Sequence, residues 1–260
     1  MEMANKNNDL DVLKQRIRQL ERLGGAVGKA EGVKALPLLP VLDHLWPEQG
    51  LPLGCLHEAR GDGGLSSYGA VTAFTAAIAG RLGKVLWCGK RADRTNAGLY
   101  GPGLAQVGLK PDQMLAVTAS TDDDILAVME EGLRHPVLAS VVGEVERLNL
   151  TSRRRLQLAA EKSGVTAFVL RTPSRRNGLQ TEPIAAASRW RITPAPSAPH
   201  SIPEAGRARW RLELFQSRSG ATGEWMIEAP DAQGYFRLSS PVADGFAKAP
   251  AAPRQRLATG

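Results

Sequence analysis

Between Leu51 and Gly80 the sequence LPLGCLHEARGDGGLSSYGAVTAFTAAIAG has the outline of a strand, a glycine-rich turn and a helix, an arrangement that can bind nucleotide phosphates. In that chemistry a G-x-x-x-x-G-K-[ST] loop closes backbone N–H groups on phosphate oxygens. Its Lys reaches the outer phosphates and its hydroxyl holds Mg²⁺. Counted from Gly61, the second glycine position is Ser66, the lysine position Ser67 and the hydroxyl position Tyr68. The shape of a phosphate loop is present without its cation or its metal ligand. Gly61, Ser66, Ser67 and Tyr68 therefore read as a vestigial nucleotide site, a tight strand-to-helix connection for which no cofactor is expected.

Three other groups of residues could carry chemistry. Asp122, Asp123 and Asp124 resemble a metal cluster, but consecutive carboxylates on a helix point in different directions. They are better read as acidic residues in the first turn of a helix begun by Thr121, so no metal is expected. Cys55 and Cys88 lie in apolar, strand-like runs, which suits buried thiols in a reducing compartment better than a disulfide. The third group is arginine. Between Arg147 and Arg218 fourteen basic residues face four acidic ones, whereas the rest of the chain is slightly acidic although the total is +7. Arginine forks match phosphate geometry and release counterions on binding, so a polyanionic partner is one reading. A solvated basic surface in an arginine-preferring proteome is the other, and composition leaves both open.

The elements that must position these residues follow from periodicity. Leu10, Leu13, Ile17, Leu20 and Leu23 recur at three- and four-residue intervals and predict an amphipathic helix over residues 1–25. Residues 26–50 read as an irregular connecting arm, with Trp46 as a packing anchor. Strands are expected at Lys84–Cys88, Met114–Val117, Pro136–Val142 and Val165–Leu170, alternating with helices at Ser66–Arg81, Tyr100–Val107, from Thr121, and at Thr151–Ser163. Such alternation predicts an α/β fold with a mostly parallel sheet and helices on both faces. Ser188–Ile192, Arg209–Phe215 and Glu224–Glu228 alternate as exposed-face strands do, so an antiparallel hairpin should close one edge. A core over 51–240 and a proline-rich, disordered tail over 241–260 complete the division. With 43% hydrophobic residues the chain can build a substantial core. It shows neither a signal-peptide core nor a membrane span, which predicts a cytoplasmic protein.

With its strands placed, the chain from about Leu36 to Glu228 resembles a RecA-like core, and most closely the ImuA family of damage-inducible mutagenesis proteins. The resemblance is carried by LPLGCLHEARG, by LGKVLWCGK with GLAQVGLKPDQMLAVTASTDDDILAVMEEGL, and by RWRLELFQSRSGATGEWMIE. It implies a RecA-like fold with a degenerate phosphate loop. Departures from RecA itself fall on catalysis. A water-activating carboxylate is expected just after the second core strand, where Lys90 stands. A magnesium-site Asp is expected at the end of the fourth, where Gly143 stands followed by Glu144. Together with Ser67 and Tyr68 these losses argue that ATP turnover has gone, and Glu144 and Glu146 read simply as an acidic, solvated strand end.

RecA-like proteins also bind DNA through two loops, which the resemblance places at about Asn149–Thr151 and Thr172–Thr181. The second carries Arg175, Arg176 and Asn177 and can hold backbone phosphates without reading bases. Arg153, Arg154 and Arg155 of the TSRRR helix are further DNA candidates, of which at most one or two can face the same ligand. The implied function is a non-catalytic adaptor in SOS-induced translesion synthesis. Its implied partners are an ImuB-type inactive relative of the Y-family polymerases, an error-prone polymerase alpha subunit, and single-stranded or damaged DNA. RecA, and self-association through the N-terminal helix, are further candidates. Two alternatives stand beside this reading: a DNA-dependent ATPase drawing on Lys84 or Lys90, and a SulA-like inhibitor of cell division.

Overall fold

The computed structural model describes residues 11–17, 19, 34–90, 98–171, 185–196 and 207–239. In chain order these form helix α1 (residues 11–17 and 19), β1 (Ala35–Leu36), α2 (Pro40–Asp43), β2 (Leu51–Pro52), β3 (Leu56–Arg60) and α3 (Leu65–Leu82). Then come β4 (Val85–Lys90), α4 (Gly101–Gln106), β5 (Met114–Ala119), α5 (Asp122–Gly132), β6 (Ser140–Val145), α6 (Leu150–Ser163) and β7 (Thr166–Arg171). The chain continues with β8 (Ser188–Ala195), β9 (Arg209–Ser217), β10 (Gly223–Glu228) and β11 (Arg237–Leu238).

Among the described residues nine strands make one sheet in the order β11-β10-β9-β8-β3-β7-β6-β4-β5. The pairs from β8 through β3, β7, β6 and β4 to β5 are parallel, and the late strands β8 to β11 pair antiparallel. This is the α/β architecture expected of a RecA-like core, with the hairpin β9–β10 at the edge. Parallel strands need crossover helices, and those helices cover both faces. On one face α3 buries Phe74, Ala77 and Ile78 against Val85, Trp87, Phe168 and Trp190. On the other, α5 and α6 bury Ile125, Met129, Leu156 and Ala160 against Leu86, Val141, Val145 and Val169. Strand alternation decides which residues reach which layer, and α3, made largely of Ala, Thr and Gly, lies close to the sheet because its side chains are small. No helix among the described residues is long and apolar enough to cross a membrane.

From residue 34 onward the arm contains more regular structure than its glycine and proline content suggests. β1 and β2 form a separate two-stranded antiparallel sheet, and Leu38, Leu42 and Trp46 enter the core beside Trp190. Trp46 is thus the packing anchor expected. In the N-terminal helix Leu13 and Ile17 are buried in the cluster that holds Ile125 and Leu156, so these two residues pack on their own domain. Leu10, Leu20 and Leu23, together with the tail 241–260, lie outside the described residues.

The fourth core strand is also displaced from its expected span. Residues 136–139 lie in a turn and bend before the strand, which runs Ser140–Val145, because a proline has no N–H for the ladder and the buried run continues through Gly143 and Glu144 to Val145. Gly143 and Glu144 are therefore inside the sheet. That shift changes the site.

Candidate functional site

The glycine-rich loop links β3 to α3 at the carboxyl end of the parallel strands. Gly61 is required by packing, since a Cβ there would stand 2.6 Å from the Cβ of Ser67. Gly63 has φ +107°, a conformation that favours glycine. Inside the turn the buried Ser67 hydroxyl donates to the Asp62 carboxylate, which also accepts the Gly64 N–H at 3.3 Å. These bonds, Ser67 first, hold the Asp62 pKa below the usual carboxylate range. Ser66 is exposed on the first turn of α3. The residue that stands in the lysine position is thus spent on closing the loop upon itself.

Tyr68, in the hydroxyl position, turns towards the sheet and hydrogen-bonds Glu144. Glu144 is only 3% exposed, and it also accepts the indole N–H of Trp87 at 2.6 Å. The neighbouring strand makes room for it: a Cβ on Gly89 would lie 2.9 Å from Glu144 Oε2. Burial pushes the Glu144 pKa up, and the two hydrogen bonds oppose that shift. The solvated strand end expected of Glu144 is thereby corrected. It is a buried carboxylate on the α3 face of the sheet, because Glu144 lies one residue inside the strand and alternates with Val142.

The lysines do not replace the missing cation. Lys84 precedes β4, at the amino end of the parallel strands and opposite the loop. Lys90 ends β4 with its ammonium 3.0 Å from Asp122 and 2.8 Å from Glu146. Burial disfavours its charge, but both carboxylates outweigh that and raise its pKa. Asp122 also accepts the backbone N–H groups of Glu146 and Arg147, while Thr121 caps α5 by accepting from Asp124 N. The aspartates therefore do helix-start chemistry, as expected, and Asp122 adds a tie between α5, β4 and β6. No group of three or more metal-ligating side chains occurs among the described residues.

Both cysteines are buried thiols, also as expected. Burial pushes Cys55 up to about 12 and raises Cys88 as well. Cys55 Sγ lies 3.4 Å from His57 Nε2, a pairing that can activate a nucleophile when the imidazole is basic and the site open. Here burial drives His57 down to about 4. Its two nitrogens are engaged by Ser188 Oγ at 2.6 Å and Pro52 O at 2.8 Å. The neutral imidazole is a structural link between β3 and β8.

The DNA candidates separate. Arg175, Arg176 and Asn177 lie outside the described residues. Arg153 is corrected: it is fully buried, its Nε 2.5 Å from Glu58 Oε1, because its position on α6 faces the sheet above β3. Glu58 also bonds Arg189 Nη2 at 3.3 Å, making a buried Arg–Glu–Arg group. Arg154 is exposed, and Arg155 is exposed with its guanidinium 2.5 Å from Glu130.

Topology assembles a second set of arginines that sequence reasoning did not join. Arg60, Arg189 and Arg191 surround the Phe215 ring, with guanidinium carbons 4.4, 5.9 and 5.4 Å from its centroid. Alternation in SRWRI already places Arg189 and Arg191 on the face opposite Trp190. Only the parallel pairing of β3 with β8 and the antiparallel pairing of β8 with β9 brings Arg60 and Phe215 to them.

No family model matches this chain. Two curated relatives do: each is named Protein ImuA, one from Caulobacter vibrioides strain NA1000 / CB15N and one from strain ATCC 19089 / CB 15. Both are 38% identical to the chain over 221 residues, covering 79% of it and 88% of the relative.

Proposed function

The chain belongs to the ImuA family, and from that premise we propose that it is a non-catalytic RecA-like accessory protein of damage-induced, error-prone DNA synthesis. It would hold an ImuB-type inactive polymerase relative and an error-prone polymerase alpha subunit on damaged DNA, leaving the bond-making to them. The observation that carries the non-catalytic part is the filled loop: Tyr68 reaches into the sheet to Glu144, and Ser67 closes on Asp62. A nucleotide site needs a cation for the outer phosphates and a hydroxyl for Mg²⁺. Here one position is a serine spent on an internal hydrogen bond and the other a bulky phenol spent on a buried acid. Lys90, tied to Asp122 and Glu146, and Lys84, at the opposite end of the sheet, supply no substitute.

The test is calorimetry of the full chain with ATP and Mg²⁺, followed by a phosphate-release assay with single-stranded DNA present. No saturable binding and no turnover are expected. Micromolar binding, about −8 kcal/mol, or DNA-stimulated turnover would overturn the non-catalytic reading. Co-purification with an ImuB-type protein and a polymerase alpha subunit tests the adaptor role.

A further inference from the structure

Beyond the cover of α6, the face of the sheet that carries Glu58 continues onto the antiparallel strands with an excess of positive charge. Trp190, Ile192, Trp210, Leu212 and Leu214 alternate into the α3 layer. Their neighbours Arg189, Arg191, Arg211, Glu213 and Phe215 therefore point the other way. Five guanidiniums meet here: Arg60, Arg153, Arg171, Arg189 and Arg191. Glu58 is shared by Arg153 and Arg189, and Glu213 pairs with Arg191. Arg60 stacks on Phe215, its buried Nε meets no acceptor, and among the described residues it makes no ion pair. Burial first, and then Arg191, Arg189 and Arg171, push its pKa down, so these cations sit close enough to repel one another. Stacking on an aromatic face recovers part of that cost and fixes the plane of the guanidinium, leaving its N–H edge for a planar acceptor.

Resting on the reading of this chain as an accessory of DNA synthesis, we propose that Arg60 and Arg191, organised on Phe215, with Arg171 beside Arg60 on the neighbouring strand, form a binding site for the phosphodiester backbone of nucleic acid on this sheet face. The cluster offers cationic forks, and the Gln216 amide beside them is held by Arg189 at 2.8 Å, which suits backbone phosphates rather than base edges. Its place supports a strand running past it. Arg60 ends β3, next in the chain to Gly61 of the vestigial loop. Arg171 ends the parallel neighbour β7, its Nη2 anchored on Glu146 O at 2.8 Å. Arg211, more than half exposed and paired with Glu224 at 3.3 Å, extends the same face along β9.

The test uses the full chain and fluorescently labelled oligonucleotides of mixed sequence, single-stranded and duplex, titrated over a salt series. Arg60→Gln breaks no ion pair and should leave the fold intact by thermal melting. It should weaken binding several-fold and lower the log–log salt slope by about 0.7 on single strands or about 0.9 on duplex. Adding Arg191→Gln should double that loss of slope. Glu213→Gln removes a carboxylate while keeping every guanidinium, and should tighten binding. If the wild-type chain binds DNA while all three variants keep its affinity and slope, the site is refuted and the DNA-accessory reading stands, with the contact elsewhere. If the wild-type chain binds neither form of DNA, the site is refuted and so is the DNA part of that reading. Tighter binding to a polyglutamate peptide than to either oligonucleotide, lost with Arg60→Gln, would reassign the face to an acidic protein segment and overturn the proposal.

Discussion

Replacing Tyr68 with Phe removes one hydroxyl from the vestigial loop and leaves the aromatic packing in place. Glu144 would then keep only the Trp87 N–H as a named donor while remaining 3% exposed. A hydrogen bond to a charged group contributes roughly 1.5–3 kcal/mol, so a loss of that size is expected wherever Glu144 is ionised. Because burial raises the Glu144 pKa, its unfolded form ionises first as pH rises. The burden of a buried carboxylate is therefore absent below the ordinary carboxylate pKa, near 4.5, and grows as pH rises through the folded value. The hydroxyl matters most on the alkaline side of that window. Urea unfolding of wild type and Tyr68→Phe at pH 5 and pH 8 should show the larger loss at pH 8. In a Glu144→Gln background the Tyr68→Phe cost should shrink, since a neutral amide needs the donor less. An equal loss at both pH values, with no coupling between the two substitutions, would refute this account of the loop.

Two further outcomes follow from buried charge. Glu58→Gln should destabilise the chain by about 3–5 kcal/mol in urea unfolding, because it removes the buried carboxylate that Arg153 and Arg189 share. A combined Glu58→Leu, Arg153→Met and Arg189→Met variant should lose much less, and equal losses would contradict the ion-pair explanation. His57, lowered by burial to about 4 from an ordinary 6.5, takes up its proton on unfolding between those values. The stability it contributes is therefore complete above about pH 6.5 and is lost as pH falls towards 4, amounting to about 3 kcal/mol. The fall in stability between pH 7.5 and pH 4.5 should be shallower by about 2 to 3 kcal/mol in His57→Gln than in wild type, and an unchanged fall would show that His57 is not the group responsible.

Much of this fold is legible in the chain because it depends on local periodicity. Apolar runs alternating with helical patterns announce the parallel sheet, and period-2 alternation in SRWRI and RWRLELF announces the antiparallel edge. The departure of the loop from the phosphate-binding pattern is equally local: Ser67 and Tyr68 occupy fixed positions after Gly61, and identity at fixed offsets needs no tertiary information. What those residues do instead was not legible. Whether Glu144 is solvated or buried turns on a strand that starts four residues later than Pro136 and on a glycine in the adjacent strand, and neither fact is written next to it. Arg153 looks like its neighbours Arg154 and Arg155, yet one helical position turns it into the sheet towards Glu58, 95 residues away in the chain. The same holds for Arg60, Arg191 and Phe215, which become neighbours only when β3, β8 and β9 lie side by side. Side-chain type and spacing fix what a residue can do, but its partner and its dielectric surroundings are set by contacts between distant segments, and these decide between a free cation and a buried ion pair.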